Sequence, residues 1–283
     1  MRKEENTTTA FSAIQTPEDL IRYLDDSTRR LDNSTYLYHY TTISRAVDII
    51  QNRAWHLGNA AGMNDKMEFK NGDPNRWKNL FFSCFMCEDK ESIGMWSMYA
   101  QPWESGVKIA IPKQAVRAWI KRTKNLLEIS TRNYKPTGRM IAIGKNSASL
   151  RLSSVAYSNA DSMQVKKERE KLSWSNQNNT NIRDAVRIPE LTGYIKDIAW
   201  SYEKEIRIKA EFENVHNVQR VAIPLDDELI EAMTITASPL FDGDLEQELS
   251  KEINIHLNTE KSIFTGRLNI TTPCQKCDYK KFG

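Results

Sequence analysis

Short strand patterns, interrupted by scattered helical patterns, constrain the fold of this chain most strongly. The sequence shows no regular strand–helix alternation of the kind that predicts a doubly wound parallel sheet, and no internal repeat. Strands are predicted at 36–40, 55–57, 79–86, 107–111, 140–143, 155–157, 205–211, 218–223 and 233–237. Helices are predicted at 17–32, after Thr42 or Ser44 as cap, at 95–100, after Pro112, at 229–231 and at 245–257. The mixture predicts an α+β protein in which 218–223 pairs with 205–211.

The length and polarity of the chain set the domain organisation that we expect. With 283 residues and a mean hydropathy of −0.61, the chain is typical of a soluble protein that buries a substantial core. Its first residues lack the apolar stretch of a secretory signal, so a cytoplasmic location is predicted. We divide the chain into a helical N-terminal extension (1–34), a core (35–225) with a basic insert (113–172), and an acidic C-terminal extension of the same domain (226–283).

Charge is distributed unevenly along the sequence. Residues 113–172 hold 14 Lys and Arg against 4 Asp and Glu, a formal charge of +10, whereas 226–252 hold 9 acidic residues against one lysine, a charge of −8. Together with interspersed Trp and Tyr residues, the basic segment fits a surface that follows a phosphate backbone and stacks bases. A solvated face that pairs with the acidic segment is the other interpretation, and both remain open.

Two Cys-x-x-Cys pairs add up to the ligand count of a structural zinc site. Cys274 and Cys277 stand in a turn-like sequence that suits chelation. Cys84 and Cys87 instead stand in an apolar strand pattern, where positions i and i+3 point to opposite faces. We therefore do not expect zinc, and we expect the cysteines to be free thiols in a reducing compartment.

One histidine stands at a position that suits ligand contact. His39 lies near the end of the first predicted strand, just before the turn into a helix. A neutral imidazole offers one donor and one acceptor, which match a ribose hydroxyl and a backbone group. A half-buried strand histidine bonded to its neighbours is the structural alternative.

A pair of glutamates provides the complementary chemistry. Glu203 and Glu205 are spaced i, i+2, so on a strand they project from one face, followed on that face by Arg207. A carboxylate close to a sugar carbon stabilises the positive charge that develops when a glycosidic bond breaks. Arg207 is expected to bind either carboxylate or a substrate phosphate. An exposed strand edge with alternating charges is the structural alternative.

Four motifs in this order resemble a large bacterial family of uncharacterised domains, over roughly residues 36–210. The family pattern runs Tyr-His-Tyr-Thr, Asn-Asp-x-x-Glu, Met-Trp-x-x-Tyr-Ala and Glu-x-Glu-x-Arg. Here these motifs stand at Tyr38–Thr41, Asn64–Glu68, Met95–Ala100 and Glu203–Arg207.

The same arrangement is similar to the His-Tyr-Glu class of ADP-ribosyltransferases, which includes the DarT-like toxins. The resemblance implies an ADP-ribosyltransferase-like mixed sheet core, with NAD as substrate and Glu205 as the catalytic residue. It also implies a set of NAD-binding residues, with Tyr99 stacking on nicotinamide, namely His39, Tyr40, Thr41, Asn64, Asp65, Tyr99 and Glu203. The sequence departs from the DarT-like pattern in lacking an arginine at 59–64 and in carrying two glutamates, which leaves the choice of catalytic carboxylate open.

These observations predict an NAD-dependent ADP-ribosyltransferase that modifies nucleic acid, RNA rather than DNA. The role implied is that of a bacterial toxin or antiphage effector, for which an antitoxin protein is a possible partner. A non-catalytic module that binds nucleic acid or a protein partner is the alternative. A metal-dependent nuclease ranks last, because the carboxylates lack accompanying Asp or His at ligand spacing.

Overall fold

The computed structural model describes residues 34–65, 68, 77–88, 90–144, 147–158, 193, 195–212 and 218–268. Several sequence predictions lie outside these ranges. They are the helix at 17–32, nearly all of the N-terminal extension, most of the helical pieces that the sequence predicts at 166–197, and the cysteine pair Cys274 and Cys277. The described end of the range 166–197 differs from that prediction, because Ile195–Asp197 is a strand.

The described residues form thirteen strands and five α-helices. The strands are β1 Tyr36–Thr42, β2 Ala54–Asn59, β3 Leu80–Met86, β4 Gly106–Pro112, β5 Asn125–Ile129, β6 Pro136–Ala142, β7 Ala148–Ser154, β8 Ala156–Ser158, β9 Ile195–Asp197, β10 Glu205–Phe212, β11 Val221–Pro224, β12 Thr234–Ala237 and β13 Asn258–Lys261. The helices are α1 Ile43–Gln51, α2 Ile93–Tyr99, α3 Lys113–Arg122, α4 Asp227–Glu231 and α5 Leu245–Ser250.

Within the described part of the chain, eleven strands join in one mixed sheet in the order β13-β12-β4-β1-β3-β2-β11-β5-β6, with β10 and β7 branching from β3. The β12–β13 pair is parallel, and the neighbours of β3 run antiparallel to it. The strands β8 and β9 form a separate parallel pair. Helices flank this sheet, so the α+β prediction is confirmed.

The branch at β3 organises the molecule. One edge of β3 pairs along its whole length with β10, while the other edge meets β1 at Met86 and β2 at Phe81 and Phe82. Strands β1 and β2 therefore diverge, and α1 connects them. The non-local pairing brings the start of β10 to within one strand of β1 across about 166 residues of sequence.

Local sequence explains the turn from β1 into α1. The hydroxyl of Thr42 accepts a hydrogen bond from the backbone N–H of Arg45 at 3.4 Å, which caps the helix as predicted. The apolar stripe of α1 is buried against the sheet through Ala46, Val47, Ile49 and Ile50. This helix begins immediately after β1, the strand that contains His39. The packing of its apolar face therefore fixes the position of the end of β1.

The apolar core is rich in indole rings whose N–H groups are satisfied. Trp55 donates to the hydroxyl of Ser83 at 2.7 Å, and Trp119 donates to the backbone carbonyl of Pro224 at 2.8 Å. Both side chains are almost completely buried. A buried indole that keeps its hydrogen bond contributes a large apolar area without leaving a polar group unpaired.

The predicted partner of β10 is wrong. The segment 218–223 does contain a strand, β11, but it pairs with β2 and β5. Both edges of β10 are already occupied, by β3 on one side and β7 on the other. Nearness in sequence favoured the pairing, and non-local contacts in the sheet override it.

Other differences concern lengths and strands that the pattern did not indicate. The helix expected at 245–257 ends at Ser250, because Ile253, Asn254 and Ile255 are weak helix formers. Strands β5, β7, β9 and β13 were not predicted. The described part of the predicted basic insert supplies α3 and β5 to β8, so it is built into the sheets.

Part of the basic segment pairs with the acidic one. Arg122 of α3 lies 2.8 Å from Asp226 and 3.1 Å from Glu228. Arg53, which lies outside the basic segment, is 2.6 Å from Asp227. These are exposed ion pairs, which contribute little to stability.

None of the described helices is both long enough and apolar enough to span a membrane.

Candidate functional site

A cleft opens where β1 and β10 approach the two edges of β3. Tyr38, His39 and Tyr40 line one wall, and Lys196, Glu203 and Glu205 line another, with residues of β3, α2 and the loop at 62–65 between them. Its volume is about 170 Å³, below the ~300–1,000 Å³ of typical small-molecule pockets. A ligand as large as a dinucleotide would therefore be enclosed only in part.

The strand register fixes the positions of the two walls. Met86 of β3 lies opposite Tyr38 of β1 on one side and opposite Glu205 of β10 on the other. Because adjacent strands are spaced about 4.8 Å apart, the backbones of β1 and β10 lie ~10 Å apart here. His39 and Glu205 thus face one cleft across a single intervening strand.

His39 is held in one tautomer by the strand beside it. Its Nδ1 lies 3.0 Å from the backbone carbonyl of Cys84, which can only accept, so Nδ1 carries the hydrogen. Burial lowers the pKa of His39, against the opposing effect of this hydrogen bond. The ring packs against Trp55 and Phe85 with centroid distances of 5.2 and 5.8 Å. The neutral imidazole therefore keeps Nε2 as an acceptor for a hydroxyl group.

The spacing of the two glutamates predicted that both lie on one strand, but the structure places them in different elements. Glu203 ends a 3₁₀ helix, Ile198–Glu203, and only Glu205 lies in β10. Lys204 between them is left-handed, with φ 45° and ψ 48°. The backbone carbonyl of Lys204 accepts a hydrogen bond from the N–H of Cys87 at 3.1 Å, and the N–H of Glu205 donates to the hydroxyl of Tyr157 at 2.8 Å. These two hydrogen bonds hold the left-handed backbone at Lys204 in place.

Arg207 is fully buried and pairs with Glu205, which is one of the two roles expected for it. Its Nε and Nη2 donate to the two oxygens of Glu205 at 2.6 and 3.0 Å. Its Nη1 and Nη2 donate to the two oxygens of Glu68, the second at 3.0 Å, and Nη1 also donates to the carbonyl of Gly193 at 2.7 Å. All five N–H donors of the guanidinium are thereby used.

The absence of a side chain at Gly193 allows its backbone carbonyl to reach the guanidinium of Arg207. Its φ is +81°, a region that L-residues rarely adopt, and a Cβ at this position would lie 2.3 Å from the ring of Phe82. The guanidinium itself lies 5.3 Å from the centroid of that ring. A side chain at position 193 would therefore displace the ring that covers Arg207.

Lys196 links the two carboxylates, and the sequence analysis missed it. Its Nζ donates to Glu203 at 2.5 Å and to Glu205 at 3.4 Å, and it lies 4.4 Å from the centroid of the Trp200 ring. Burial would lower the pKa of Lys196, but Glu205 and Glu203 outweigh burial and raise it. The ammonium group therefore stays charged between two carboxylates.

The two carboxylates differ in their affinity for protons. Burial alone would raise the pKa of Glu205, but the charge and hydrogen bonds of Arg207, with Lys196, hold it at about 2. Burial raises the pKa of Glu203, and the negative charge of Glu205 adds to this, against the opposing effects of Lys196 and Tyr99. Glu205 is thus the member of the pair that stays ionised near neutral pH, and Glu203 takes up a proton more readily.

Tyr99 contacts the second carboxylate directly. Its hydroxyl donates to Oε1 of Glu203 and is also hydrogen-bonded by the side chain of Asn64. Burial, followed by the bond to Glu203, raises the pKa of Tyr99. One oxygen of Glu203 therefore accepts from Tyr99 and the other from Lys196. Because each carboxylate oxygen has two acceptor positions, Glu203 retains room to bind a ligand hydroxyl.

Seven of the nine residues predicted for the site line the cleft, namely His39, Tyr40, Asn64, Asp65, Tyr99, Glu203 and Glu205. Thr41 does not line it, although it was predicted to bind NAD. It lies two residues beyond His39, about 6.6 Å further along β1, and it is buried opposite Val107 of β4.

The hydroxyl of Tyr40 accepts a hydrogen bond from the backbone N–H of Ser92 at 3.3 Å, and burial raises the pKa of Tyr40.

The described cysteines, Cys84 and Cys87, form no disulfide and have different hydrogen-bond partners. Cys87 donates to the carbonyl of Lys204 at 3.0 Å, while the Cys84 thiol is hydrogen-bonded to Glu205 and lines the cleft. Burial raises the pKa of Cys84. No cluster of three or more metal-ligating side chains occurs in the part of the chain that the structure describes.

Comparisons with known proteins give one family match and two structural likenesses. Residues 95–208, less than half of the chain, match the family model described as Protein of unknown function (DUF2971). The matched range contains the motifs at Met95–Ala100 and Glu203–Arg207. A search of curated proteins found no match.

The structural likenesses are to Thermus sp. 2.9 DarT. Its complex with carba-NAD+ has a TM-score of 0.33 at 13% identity, covering 82% of this chain and 97% of the DarT chain. Its complex with NAD+ has a TM-score of 0.34 at 12% identity, covering 81% and 96%. Likenesses at this level do not establish a common fold, so the functional conclusion depends on the cleft.

Proposed function

We propose that the protein is an NAD-dependent ADP-ribosyltransferase that passes ADP-ribose to a nucleic acid, RNA in preference to DNA. One observation carries the proposal. A single cleft joins a neutral histidine, a tyrosine and two carboxylates of different proton affinity, and these are residues that the motif resemblance assigns to NAD. In this proposal the chain has an ADP-ribosyltransferase-like core.

The proposed reaction breaks the bond between nicotinamide and the ribose C1′. Nicotinamide leaves as a neutral molecule with the bonding electron pair, and C1′ becomes an oxocarbenium-like centre. A nucleophile on the acceptor then forms the new bond to C1′ and loses a proton. A negative charge held close to C1′ lowers the energy of this transition state. The carboxylate is already in position before the reaction, so no free energy is needed to reorient it.

The geometry supports a division of labour between the carboxylates. Both oxygens of Glu205 are occupied by Arg207 and Lys196, so Glu205 is proposed to act as a fixed charge. Glu203 has unused acceptor positions and a raised pKa, which suit a hydrogen bond to the ribose and uptake of the acceptor's proton. Nε2 of His39 is proposed to accept a ribose hydroxyl, and Tyr99 to pack on nicotinamide.

The acceptor assignment is supported by the charge of the segment 113–172. In its described part, Arg132, Lys135 and Arg139 are exposed, and Arg220 lies 4.4 Å from the centroid of the Tyr134 ring beside them. Cations of this kind bind a phosphate backbone. A role as a toxin or antiphage effector, with an antitoxin as partner, belongs to the same proposal.

The test is transfer of label from NAD to RNA, DNA or protein. We expect label on RNA and release of nicotinamide, and Glu205→Gln should abolish both without unfolding the protein. Glu203→Gln should reduce transfer more than NAD binding. Glu228→Gln, an exposed change on α4, is the matched control and should leave activity unchanged. Intact NAD with every acceptor would contradict the proposal.

The non-catalytic alternative is separated by a melting experiment. A ligand at 100 times its Kd stabilises the folded state by about 2.7 kcal/mol. We expect NAD to raise the melting temperature of the wild-type protein. Binding of RNA that weakens steeply with salt, without any effect of NAD, would instead favour a nucleic-acid-binding module.

A further inference from the structure

Two arginines from distant parts of the chain meet at one tyrosine ring outside the cleft. Tyr134 stands in the turn between β5 and β6. The guanidinium carbons of Arg45 and Arg220 lie 5.5 and 4.4 Å from the centroid of its ring. Arg45 belongs to the first turn of α1, and Arg220 directly precedes β11. All three side chains, which we call the arginine–tyrosine cluster, are exposed, and none of them lines the cleft.

The positive charge of this cluster is not neutralised by the described residues around it. Neither Arg45 nor Arg220 forms an ion pair with a carboxylate in the part of the chain that the structure describes. The exposed Arg53 and Arg122 do form such pairs, and Glu128 of β5 pairs with a different arginine. Two like charges held beside one ring repel each other, and an anion bound between them removes this repulsion.

The ionisation of a neighbouring histidine shows the sign of the potential around the cluster. Burial lowers the pKa of His56 on β2, and the charges of Arg45 and Arg220 lower it further, whereas Asp48 raises it. The two arginines therefore outweigh the nearby carboxylate, and the net potential at this place is positive. A surface with a positive potential attracts anions.

The phenol group of Tyr134 completes a set of hydrogen-bond donors. Nη2 of Arg220 donates to its oxygen at 3.4 Å, and no described residue accepts the phenol proton. The turn holds the ring in place, because the N–H of Tyr134 donates to the carbonyl of Ser130 at 3.1 Å and the N–H of Ser130 donates to the carbonyl of Lys135 at 2.9 Å. The φ of Tyr134 is +60°, which a bulky residue adopts only where its surroundings fix it. Guanidinium groups and a phenol O–H at one place match the oxygens of a phosphate.

We propose that Arg45, Arg220 and Tyr134 bind a single backbone phosphate of the nucleic-acid acceptor. This inference rests on the proposed function for the identity of the acceptor, and it adds a defined anchoring site outside the cleft. The phosphate accepts hydrogen bonds from both guanidinium groups and from the phenol. Arg45 stands six positions after His39, so their Cα atoms lie at most ~22 Å apart. One strand can therefore contact both the cluster and the cleft.

The test measures the binding of a short single-stranded oligouridine, labelled with fluorescein, by fluorescence anisotropy without NAD and at several salt concentrations. Each phosphate that a protein neutralises on a single strand adds ~0.7 to the slope of log K against log salt concentration. We expect Arg45→Gln combined with Arg220→Gln to weaken binding about tenfold and to lower this slope by ~0.7, because both arginines bind one phosphate. A fall of ~1.4 would mean two separate phosphates and would overturn the inference.

Two further variants separate the cluster from the overall charge. Arg53→Gln combined with Arg122→Gln is the matched control, since it also removes two exposed arginines, and it should keep the wild-type slope. Tyr134→Phe keeps the ring and removes only the hydroxyl, so it should weaken binding about three- to tenfold with an unchanged slope. Equal effects of the control and of the double cluster variant, or no binding of oligouridine by the wild-type protein, would overturn the inference.

An oligouridine with neutral methylphosphonate links separates phosphate contacts from base contacts. The double cluster variant and the wild-type protein should bind this oligonucleotide equally, because it offers no charged phosphate to the arginines. An equal loss of affinity for the charged and the neutral oligouridine would assign the arginines to the bases and would overturn the inference.

The outcomes also separate this inference from the proposed function. Weaker, less salt-dependent binding by the double cluster variant, with NAD left intact in the presence of every acceptor, would support the phosphate site and contradict transferase activity. If transfer to RNA occurs, the double cluster variant should raise the KM for RNA about tenfold at an unchanged kcat. Transfer with a wild-type KM in that variant would support the transferase and overturn the phosphate site.

Discussion

Replacing Arg207 with methionine tests whether one buried guanidinium holds the cleft together. Arg207 is 0% exposed and forms bidentate pairs with both Glu68 and Glu205. Removing one partner of a buried ion pair costs ~3–5 kcal/mol, because the remaining charge stays buried without compensation. Two carboxylates lose their partner here, so we expect a loss at the upper end of this range.

This free energy converts into a measurable shift. An unfolding entropy of ~2.1 cal/mol/K per residue gives about 0.6 kcal/mol/K for a chain of this length, so a loss at the upper end of the range should lower the melting temperature by roughly 8 °C. Differential scanning calorimetry measures the shift. Arg122→Met is the matched control, since its ion pairs with Asp226 and Glu228 are exposed, and its shift should stay near ~1 °C.

A compensated variant separates charge from packing. Arg207→Met combined with Glu68→Gln and Glu205→Gln removes both uncompensated charges together with the cation, and it should recover most of the lost stability. If Arg207→Met lowered the melting temperature no more than Arg122→Met, or if the triple variant were less stable than the single one, Arg207 would not stabilise the fold by compensating the charges of Glu68 and Glu205.

Three further predictions follow from the same groups. The pKa of Glu205 is lowered to about 2 in the folded state from ~4.3 in an unfolded chain, so its stabilisation of about 3 kcal/mol is present above about pH 4.3 and is lost as the pH falls toward 2. Urea unfolding should therefore show a steeper loss of stability between pH 5 and 2.5 for the wild type than for Glu205→Gln, and parallel curves would contradict the cause given for the shift. Tyr99→Phe removes the hydroxyl that donates to Glu203, and NAD consumption should fall about 10- to 100-fold while the melting temperature falls by no more than ~5 °C. Lys196→Met should raise the pKa of Glu203, which moves the acid limb of the kcat/KM profile to higher pH, and an unmoved limb would exclude this role for Lys196.

The sequence predicted the strands that carry the site better than the way they pair. Alternation identified both β1 and β10, and the cap at Thr42 located the helix after His39. The pairing of β10 with β3 and β7 left no local signal, because it joins residues that lie about 120 positions apart for β3 and more than 50 positions apart for β7. Neighbouring strands in sequence were therefore the only pairing that a pattern could indicate, and this favoured the wrong partner for β10.

The charged residues of β10 show a second reason. In sequence, Glu203 to Arg207 reads as an exposed edge of alternating charges, and alternation did place Arg207 beside Glu205. Their burial depends on Lys196 and Glu68, which come from other parts of the chain and supply the compensating charges. Lys196 follows no periodic pattern, and it stands in a strand of only three residues. Its role is visible only after the chain has folded.

The left-handed residue between the glutamates explains how one short motif yields two kinds of carboxylate. On a regular strand, positions i and i+2 share one face and much the same surroundings. Lys204 breaks this equivalence, since its positive φ turns Glu203 toward Tyr99 while Glu205 enters β10 beside Arg207. A hydroxyl compensates a carboxylate less than a guanidinium does, and so the two groups acquire different affinities for a proton although only Lys196 is shared between them. A cleft that needs a fixed negative charge and a carboxylate that takes up a proton can thus obtain both from residues only two positions apart, because a single backbone conformation assigns them different partners.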